Sequence, residues 1–522
     1  MTGSMRISVV CCMLLLLSLS VQAQKRVRPV YPVPQKTPEV ERLLSSRIPW
    51  TGSPLTKSSL PQSVDNSKLK YFPPLIDQKG GSCAQASGIG YMFTYEINRL
   101  LDADASSGEG IQFSYLFTWN FLNGGRDEGG FVEQGLNIAA KYGIMTEDAY
   151  GYSSVYQFKW ASGYEKYLEA MRWRVAEVYT FNAETAEDIS LIKQYLYNKG
   201  DGSSHGGIVT FSTLSSNWRI NNNYDGPSET GYHALLTSLA TEGAHALTIV
   251  GYDDTVEAVD DEGNKHYGAF IVVNSWGSYS HDNGRFYLPY YFFENRGEEI
   301  TEIQLSSTMT GISVRQHEPQ LVFKVRLDYS SRDDISLVYG ASEETDSNYP
   351  ENRFTPVIFS NQGGDYAMQG AYSENGELEF ALDYTEHLPQ PDTRYGKYFL
   401  NIICSQRGQK SGSGTIEYFS VMDYRAEDGP REYVCKEAGS VPLAWGSNLF
   451  AVTTQPVLVV SASPCRWKEG DVPSSKTFVV RTAAGKYAKL KFIGYDRQTG
   501  KVTLQSLYQG DGSRNLTETG NE

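Results

Sequence analysis

The chain has 522 residues, 40% of them apolar and 20% charged, with a formal net charge of −15. That length exceeds one ordinary hydrophobic core and predicts two domains or more. The composition excludes a disordered chain, and the acidic balance excludes a generic phosphate-binding face, so no nucleic-acid partner is expected.

In chain order, the N-terminus reads "MRISVVCCMLLLLSLSVQAQ": one arginine, an apolar run from Ile7 to about Leu19, and a small-residue ending at Ala23. This is the pattern of a cleavable secretory signal peptide over residues 1–23, too short in its apolar part for a comfortable membrane span. No later segment offers about 18 consecutive apolar residues. The expectation is a secreted or periplasmic protein without stable membrane insertion. Beyond the signal only Cys83, Cys404, Cys435 and Cys465 remain. Four cysteines do not make a disulfide scaffold; the sequence allows one bridge among the last three and does not choose the pair.

Residues 24–59 are rich in Pro, Ser and Lys and read as an extended arm or short leader. From 60 to 312 helices come first. One starts near Ser82. Another runs from Val132 to Tyr142, with Gly143 as its C-cap. A third, "TAEDISLIKQYLYNKG", opens with Thr185 three residues before Asp188, as in a capping box, and is expected to stop at Gly200. Strands follow: "GGIVTFST", "HALTIVGYDD", "GAFIVVNSWG" and "GRFYLPYYFF". The order predicts an α+β fold. From 313 to 522 the pattern is almost entirely β. "LVFKVRLDY" alternates cleanly, and "DISLVYGAS", "TPVIFS", "LEFALDY", "KYFLNII", "TIEYFSVMDY", "TFVVRTAAG", "AKLKFIGY" and "KVTLQSLY" resemble it. One or two β-sandwich modules are expected.

The chemistry gathers in "IDQKGGSCAQASGIGYMFTYEINRLL", where a glycine-rich turn delivers Cys83 to a helix N-terminus. A thiol becomes a nucleophile as its anion, which a helix N-terminus and a nearby imidazolium both favour. It then needs a histidine, and a third group to orient the ring. His245 in "EGAHALTIVGYDD" heads an apolar strand, and Asn274 in "VVNSWG" ends another. Adjacent strands would bring both to one sheet edge. His233, in "GYHALLTSLA", has no such follower and reads as structural. No HExxH and no His or Cys pairs at ligand spacing occur, so no metal and no cofactor are expected.

Cys83, then "HAxxxVGY", then "xNSWG", in that order, resembles the papain family of cysteine peptidases. "LPQSVDNSKLKYFPPLIDQ", "EGGFVEQGLNIAAKYGIMTEDAYGY" and "DNGRFYLPYYFF" extend the likeness over about residues 60 to 295. The resemblance implies a two-lobed domain over 60–312, a helical lobe followed by a β-barrel-like one, acting on polypeptide substrates. It implies Cys83 as nucleophile, His245 as base and then acid, Asn274 as the group fixing the ring, and Trp276 as cover for that bond. Gln78 and the Cys83 N–H would bind the oxyanion. Gly129 and Gly130 would pair with substrate backbone, and Phe131 and Val132 would line the main specificity pocket.

The sequence also departs from the family. Ala84 stands where Trp is usual, Gln78 lies five residues before Cys83 rather than six, and Ala244 replaces a common acid. The long helical inhibitory leader of many members has no counterpart, and no self-inhibitory device is predicted. Separately, "TFVVRTAAGKYAKLKFIGYDRQTGKVTLQSLY" is similar to the C-terminal hairpins of the HmuY family of exported bacterial haem-binding proteins, implying a Bacteroidetes-like source. It contains no histidine or methionine to ligate haem, so it reads as β-module alone.

The expectation is therefore an exported cysteine peptidase, by default an endopeptidase, with a β-module that binds or positions substrate. The rival is a binding or adhesion protein, for haem or peptide, that retains the peptidase fold as an inactive scaffold.

Overall fold

A computed structural model describes residues 29–52, 60–107, 111–151, 158–294, 296, 300–370, 376–388, 396–407, 412–425, 429–454, 477–481, 487–495 and 502–509, the last three by backbone alone. The expected signal peptide, the two ends of the arm (24–28 and 53–59) and Cys465 lie outside the described residues. Cys404 and Cys435 are both free thiols, so they are not bridged to each other.

The chain divides into two compact units. The first comprises Met1–Tyr115, Asp127–Gln134 and Glu177–Ser313; the second comprises Leu116–Arg126, Gly135–Ala176 and Val314–Glu522. The described chain is a mixed α+β protein.

In the first unit a large, mostly antiparallel sheet is built around the long strand Ala244–Val259. That strand pairs with Val209–Leu214 on one side and Lys265–Val273 on the other, and Ser63–Asp65 adds to it. The hydrogen-bonded path ends at Ile48–Pro49 and at Arg219–Asn221, so the sheet is open and the expected barrel closure is absent. Its end strands are 2 and 3 residues long, too short to carry a ladder round to the far edge. Phe211, Leu247, Ile249, Phe270 and Val272 from this sheet pack with Ile192 and Leu196 of the helix Ala186–Tyr197. That helix carries the expected capping box between Thr185 and Asp188, but it stops at Asn198, before Gly200.

The helical run that starts at Cys83 changes character along its length: Cys83–Gln85 is α, Ala86–Phe93 is π, and Thr94–Leu101 is α again. The wider π turns coincide with two glycines that let neighbours approach. A Cβ on Gly88 would lie 2.7 Å from Val132 Cγ1, and one on Gly90 would lie 2.4 Å from Ile76 Cδ1. Absent side chains thus bring the Cys83 helix against Ile76 and Val132.

The second unit holds three antiparallel sheets among the described residues. Glu377–Asp383, Leu321–Tyr329, Gly414–Asp423 and Arg431–Val434 form one, joined by Val441–Pro442. Asn352–Phe354, Ile335–Ser342, Lys397–Cys404 and Gly446–Thr453 form a second. Phe323 of the first touches Tyr339 and Tyr398 of the second, with ring centroids 5.5 and 6.0 Å apart. Thr477–Arg481, Tyr487–Tyr495 and Val502–Gln509 make a third, three-stranded sheet.

Two predicted strands are corrected. "TPVIFS" is irregular, because Phe359 and Asn361 adopt φ of +62° and +55°. Burial of the Phe359 ring against Phe380, 4.2 Å between centroids, offsets the cost of that backbone. "GRFYLPYYFF" is a strand only over Arg285–Pro289; the proline ends it for want of an N–H, and Tyr291–Glu294 turns helical. Trp173–Asn182 is a strand that sequence reading missed.

Candidate active site

Cys83, His245 and Asn274 all belong to the first unit. Cys83 opens its helix behind the glycine turn, with 8% of its surface exposed. Burial pushes its thiol above the ordinary range, and the backbone N–H groups of Ala246, Ala84 and Cys83 itself pull it back down. The Ala246 donor is the residue after His245, so the strand edge and the helix N-terminus meet at the sulfur.

His245 sits near the start of Ala244–Val259, opposite Thr213 on the neighbouring strand. Asn274 follows directly on Lys265–Val273, the strand on the other side. The pairing expected from sequence is thus formed, and His245 Nε2 lies 2.9 Å from Asn274 Oδ1. An amide oxygen only accepts, so Nε2 carries the ring proton. Asn274 is fully buried, and its own N–H donates to the Gly284 carbonyl at 2.9 Å. Trp276 stacks on the His245 ring at 4.7 Å and 27°, and Trp218 closes in at 6.2 Å from the edge. Sequence reading missed Trp218, which stands outside every quoted motif.

Gln78 is clamped to the Asn274 segment. Its N–H donates to Ser275 O at 2.8 Å, its side-chain Oε1 accepts from Ser275 Oγ at 2.6 Å, and its Nε2 donates to Gly80 O at 2.9 Å. The amide is therefore fixed in orientation, with one Nε2 hydrogen spent inside its own loop.

A cavity of about 200 Å³ is lined by both Cys83 and His245, and by Gly129, Gly130, Phe131 and Val132. Four of the five predicted substrate-contact residues, Gly129, Gly130, Phe131 and Val132, thus share the wall of one space with the thiol and the imidazole; the fifth, Trp276, and the expected oxyanion donor Gln78 are not in its lining. Gln85 Nε2 ties the Phe131 carbonyl to the Cys83 helix at 3.0 Å. At Gly81 a Cβ would lie 3.0 Å from Gly129 N and 3.1 Å from Tyr31 Cε1, so the turn before Cys83 has room for nothing larger.

Tyr31 marks the main feature that sequence reading missed. Tyr31, Pro32, Val33 and Pro34 of the N-terminal arm line the same cavity. The Ala244 N–H, next to His245, donates to Tyr31 O at 2.9 Å. Tyr31 Oη donates to Asp127 Oδ2 at 2.8 Å, while Asp127 Oδ1 accepts from Gly81 N at 2.7 Å. The arm then enters the short helix Pro38–Ser45, whose Val40 is buried. Arg47 beyond it pairs with Glu133 at 3.3 Å and donates to Thr310 Oγ1 at 2.8 Å.

His233 stands apart, with its Nδ1 3.0 Å from Tyr224 O. In the second unit His317 Nε2 lies 2.6 Å from Asp383, and His387 stacks on Phe354 at 3.5 Å. Among the described residues no group of three or more His, Cys, Asp or Glu is placed to hold a metal, and no helix is long and apolar enough to cross a membrane.

No protein-family model and no curated protein matches the chain. Among solved structures, it is similar to xylellain, a cysteine protease from Xylella fastidiosa, at 19% identity and TM-score 0.36, covering 55% of this chain and 98% of that one. It is similar to procathepsin B S9 from Trypanosoma congolense at 12% identity and TM-score 0.35, covering 55% and 87%. A digestive procathepsin L 3 of Tenebrio molitor larval midgut matches at 15% identity and TM-score 0.33, covering 51% and 74%.

Proposed function

We propose that this protein is an exported, papain-like cysteine peptidase that hydrolyses peptide bonds within polypeptides through an acyl-enzyme on Cys83. The observation that carries the reading is the shared cavity: Cys83 and His245 line it together, and the ring's Nε2 is held on Asn274 Oδ1 at 2.9 Å. With Nε2–H fixed there, the thiol's proton passes to Nδ1, giving a thiolate and an imidazolium. The sulfur attacks the scissile carbonyl carbon, and the carbonyl electron pair moves to oxygen. The oxyanion is received by the Cys83 N–H and the second Nε2 hydrogen of Gln78. Collapse expels the amine, which takes its proton from the imidazolium and leaves a thioester. Water, deprotonated by His245, attacks the thioester and returns the thiol.

Burial disfavours a bare thiolate here, so the imidazolium beside it is what makes the anion affordable in a nearly dry site. Trp276 and Trp218 keep water off the His245–Asn274 bond. Gly129 and Gly130 carry no side chain over their backbone, which suits edge-on pairing with an extended substrate, and Phe131 and Val132 make the adjoining pocket apolar. The apolar run before Ala23 supports export. The aromatic contacts of Phe323 across two sheets of the second unit support a sandwich, which would bind or position substrate.

The arm serves as the short leader. Tyr31–Pro34 forms part of the cavity wall beside Cys83 and His245, and Pro32 and Pro34 bring no N–H to it. In this reading the arm narrows access to Cys83, and its displacement or trimming widens the cleft.

The test is incubation with a thiol-directed epoxide inhibitor followed by mass spectrometry. The reading predicts stoichiometric modification at Cys83, faster once the arm is loosened and abolished in His245→Ala. Equal slow labelling of Cys83, Cys404 and Cys435 would assign the fold to a scaffold instead.

A further inference from the structure

Asn274 touches two imidazoles. Its Oδ1 faces His245 Nε2 at 2.9 Å, and its Nδ2 faces His281 Nε2 at 3.1 Å. His281 lies seven residues on, in the turn that returns to Arg285–Pro289, at φ of +51°. Its ring is walled by Phe286, Trp218 and Trp276, at centroid distances of 5.0, 5.7 and 6.2 Å. The neighbouring carboxylate, Asp282, is turned to the His233 N–H at 2.7 Å.

A carboxamide has one accepting and one donating end, so two rings on opposite ends cannot be protonated alike. The ring on Nδ2 must offer a bare nitrogen, which makes it neutral with its proton at Nδ1. The ring on Oδ1 must hold a proton at Nε2 and can take a second at Nδ1. Turning the amide over would reverse both demands. His245 would then be bare at Nε2 and protonated at Nδ1, leaving no site on that nitrogen for the thiol's proton. Nothing in Asn274 alone chooses between the two orientations, because each end could bond to either ring.

We propose that His281 is a positioning residue for Cys83 chemistry: its bare Nε2 holds the Asn274 carboxamide in the orientation that presents Oδ1 to His245. The inference rests on the catalytic reading of Cys83, His245 and Asn274. The aromatic wall keeps His281 neutral by desolvation, down to about pH 4. Asn274 therefore has a ring that stays neutral on one side and a ring able to become cationic on the other.

Two measurements test it on the full chain. In protein carrying 15N-histidine, His281 is expected as the neutral Nδ1–H tautomer between pH 5 and 8; a proton on its Nε2 in that range overturns the proposal. In peptide hydrolysis, His281→Phe keeps an aromatic ring and removes the acceptor. It should lower kcat about tenfold with KM within about twofold, the effect of one misplaced hydrogen bond. His281→Gln, whose Oε1 accepts where Nε2 did, should recover most of that loss. An unchanged kcat in His281→Phe, or a glutamine variant no better than phenylalanine, overturns the proposal while an active parent leaves the catalytic reading intact. A parent whose Cys83 neither reacts with the epoxide nor turns over peptide removes both.

Discussion

Replacing Asn274 by alanine cuts two hydrogen bonds at once, a buried one to His245 Nε2 and a partly buried one to His281 Nε2. The His245 bond matters most in the charged state, where an amide oxygen meets an imidazolium N–H. Hydrogen bonds to charged groups contribute about 1.5–3 kcal/mol, against about 1 for neutral pairs. His245 and Asn274 are 5% and 0% exposed, so water does not replace the lost partner. A loss of about 2 kcal/mol from the imidazolium alone makes the charged ring roughly 10–100-fold harder to form. In the proposed mechanism the reactive form is the thiolate–imidazolium pair, so kcat/KM at neutral pH should fall by roughly 10–100-fold. The assay is hydrolysis of a fluorogenic peptide across pH 5–9, with thermal unfolding run in parallel to correct for folded protein. A loss below about twofold per folded molecule would refute the reasoning, because it would mean that the bond does not bias the ring's charge.

Tyr31→Phe removes the 2.8 Å bond to Asp127 while keeping the ring, and should speed epoxide labelling of Cys83 by about 2–10-fold; an unchanged rate would show that the arm does not guard the cleft. Gly88→Ala would ordinarily strengthen a helix, but its Cβ meets the stiff, buried Val132 side chain at 2.7 Å. Overpacking of about 1–3 kcal/mol should win, read as a lower urea midpoint, and a higher midpoint would contradict the packing argument. His281 is neutral when folded down to about pH 4, against an ordinary value of 6.5. The unfolded chain binds that proton first, so its contribution is present above about pH 6.5 and is lost as pH falls towards 4, at most about 3 kcal/mol. His281→Phe should flatten this acid-side slope of stability, measured by urea unfolding from pH 7 to 4.5. In the second unit Arg174 donates to the buried Asp383 carboxylate, which His317 also contacts. Arg174→Met should cost about 3–5 kcal/mol by leaving that charge short of its cation; a neutral effect on the unfolding midpoint would contradict the pairing.

The residues that sequence could place were those announced by their own segments. Cys83 follows a glycine turn into an apolar helix, and His245 and Asn274 mark the ends of apolar strands that pair because each is buried on both faces. Strict alternation gave Leu321–Tyr329, and the spacing gave Val132–Tyr142, each with its bounds. What stayed hidden depends on closure in space. Tyr31–Pro34 has no periodicity to read, and a backbone bond to Ala244 and a phenol bond to Asp127 help hold it in the cavity wall. His281 gains its role only because the chain turns back at positive φ to face Asn274. "TPVIFS" has strand composition, yet Phe359 is worth more packed on Phe380 than paired in a ladder. Trp173–Asn182 was missed because its exposure does not alternate, being buried at Arg174 and Val175 and open at the next two positions.

The most direct test is the alkylation rate of Cys83 as a function of pH, followed by mass spectrometry on protein with its arm loosened. A sulfur activated by His245 should alkylate rapidly at pH 6, lose reactivity only in strong acid, and become slow throughout in His245→Ala. A rate that climbs only above about pH 9, and is the same in that variant, would be the behaviour of an ordinary buried thiol and would contradict the account.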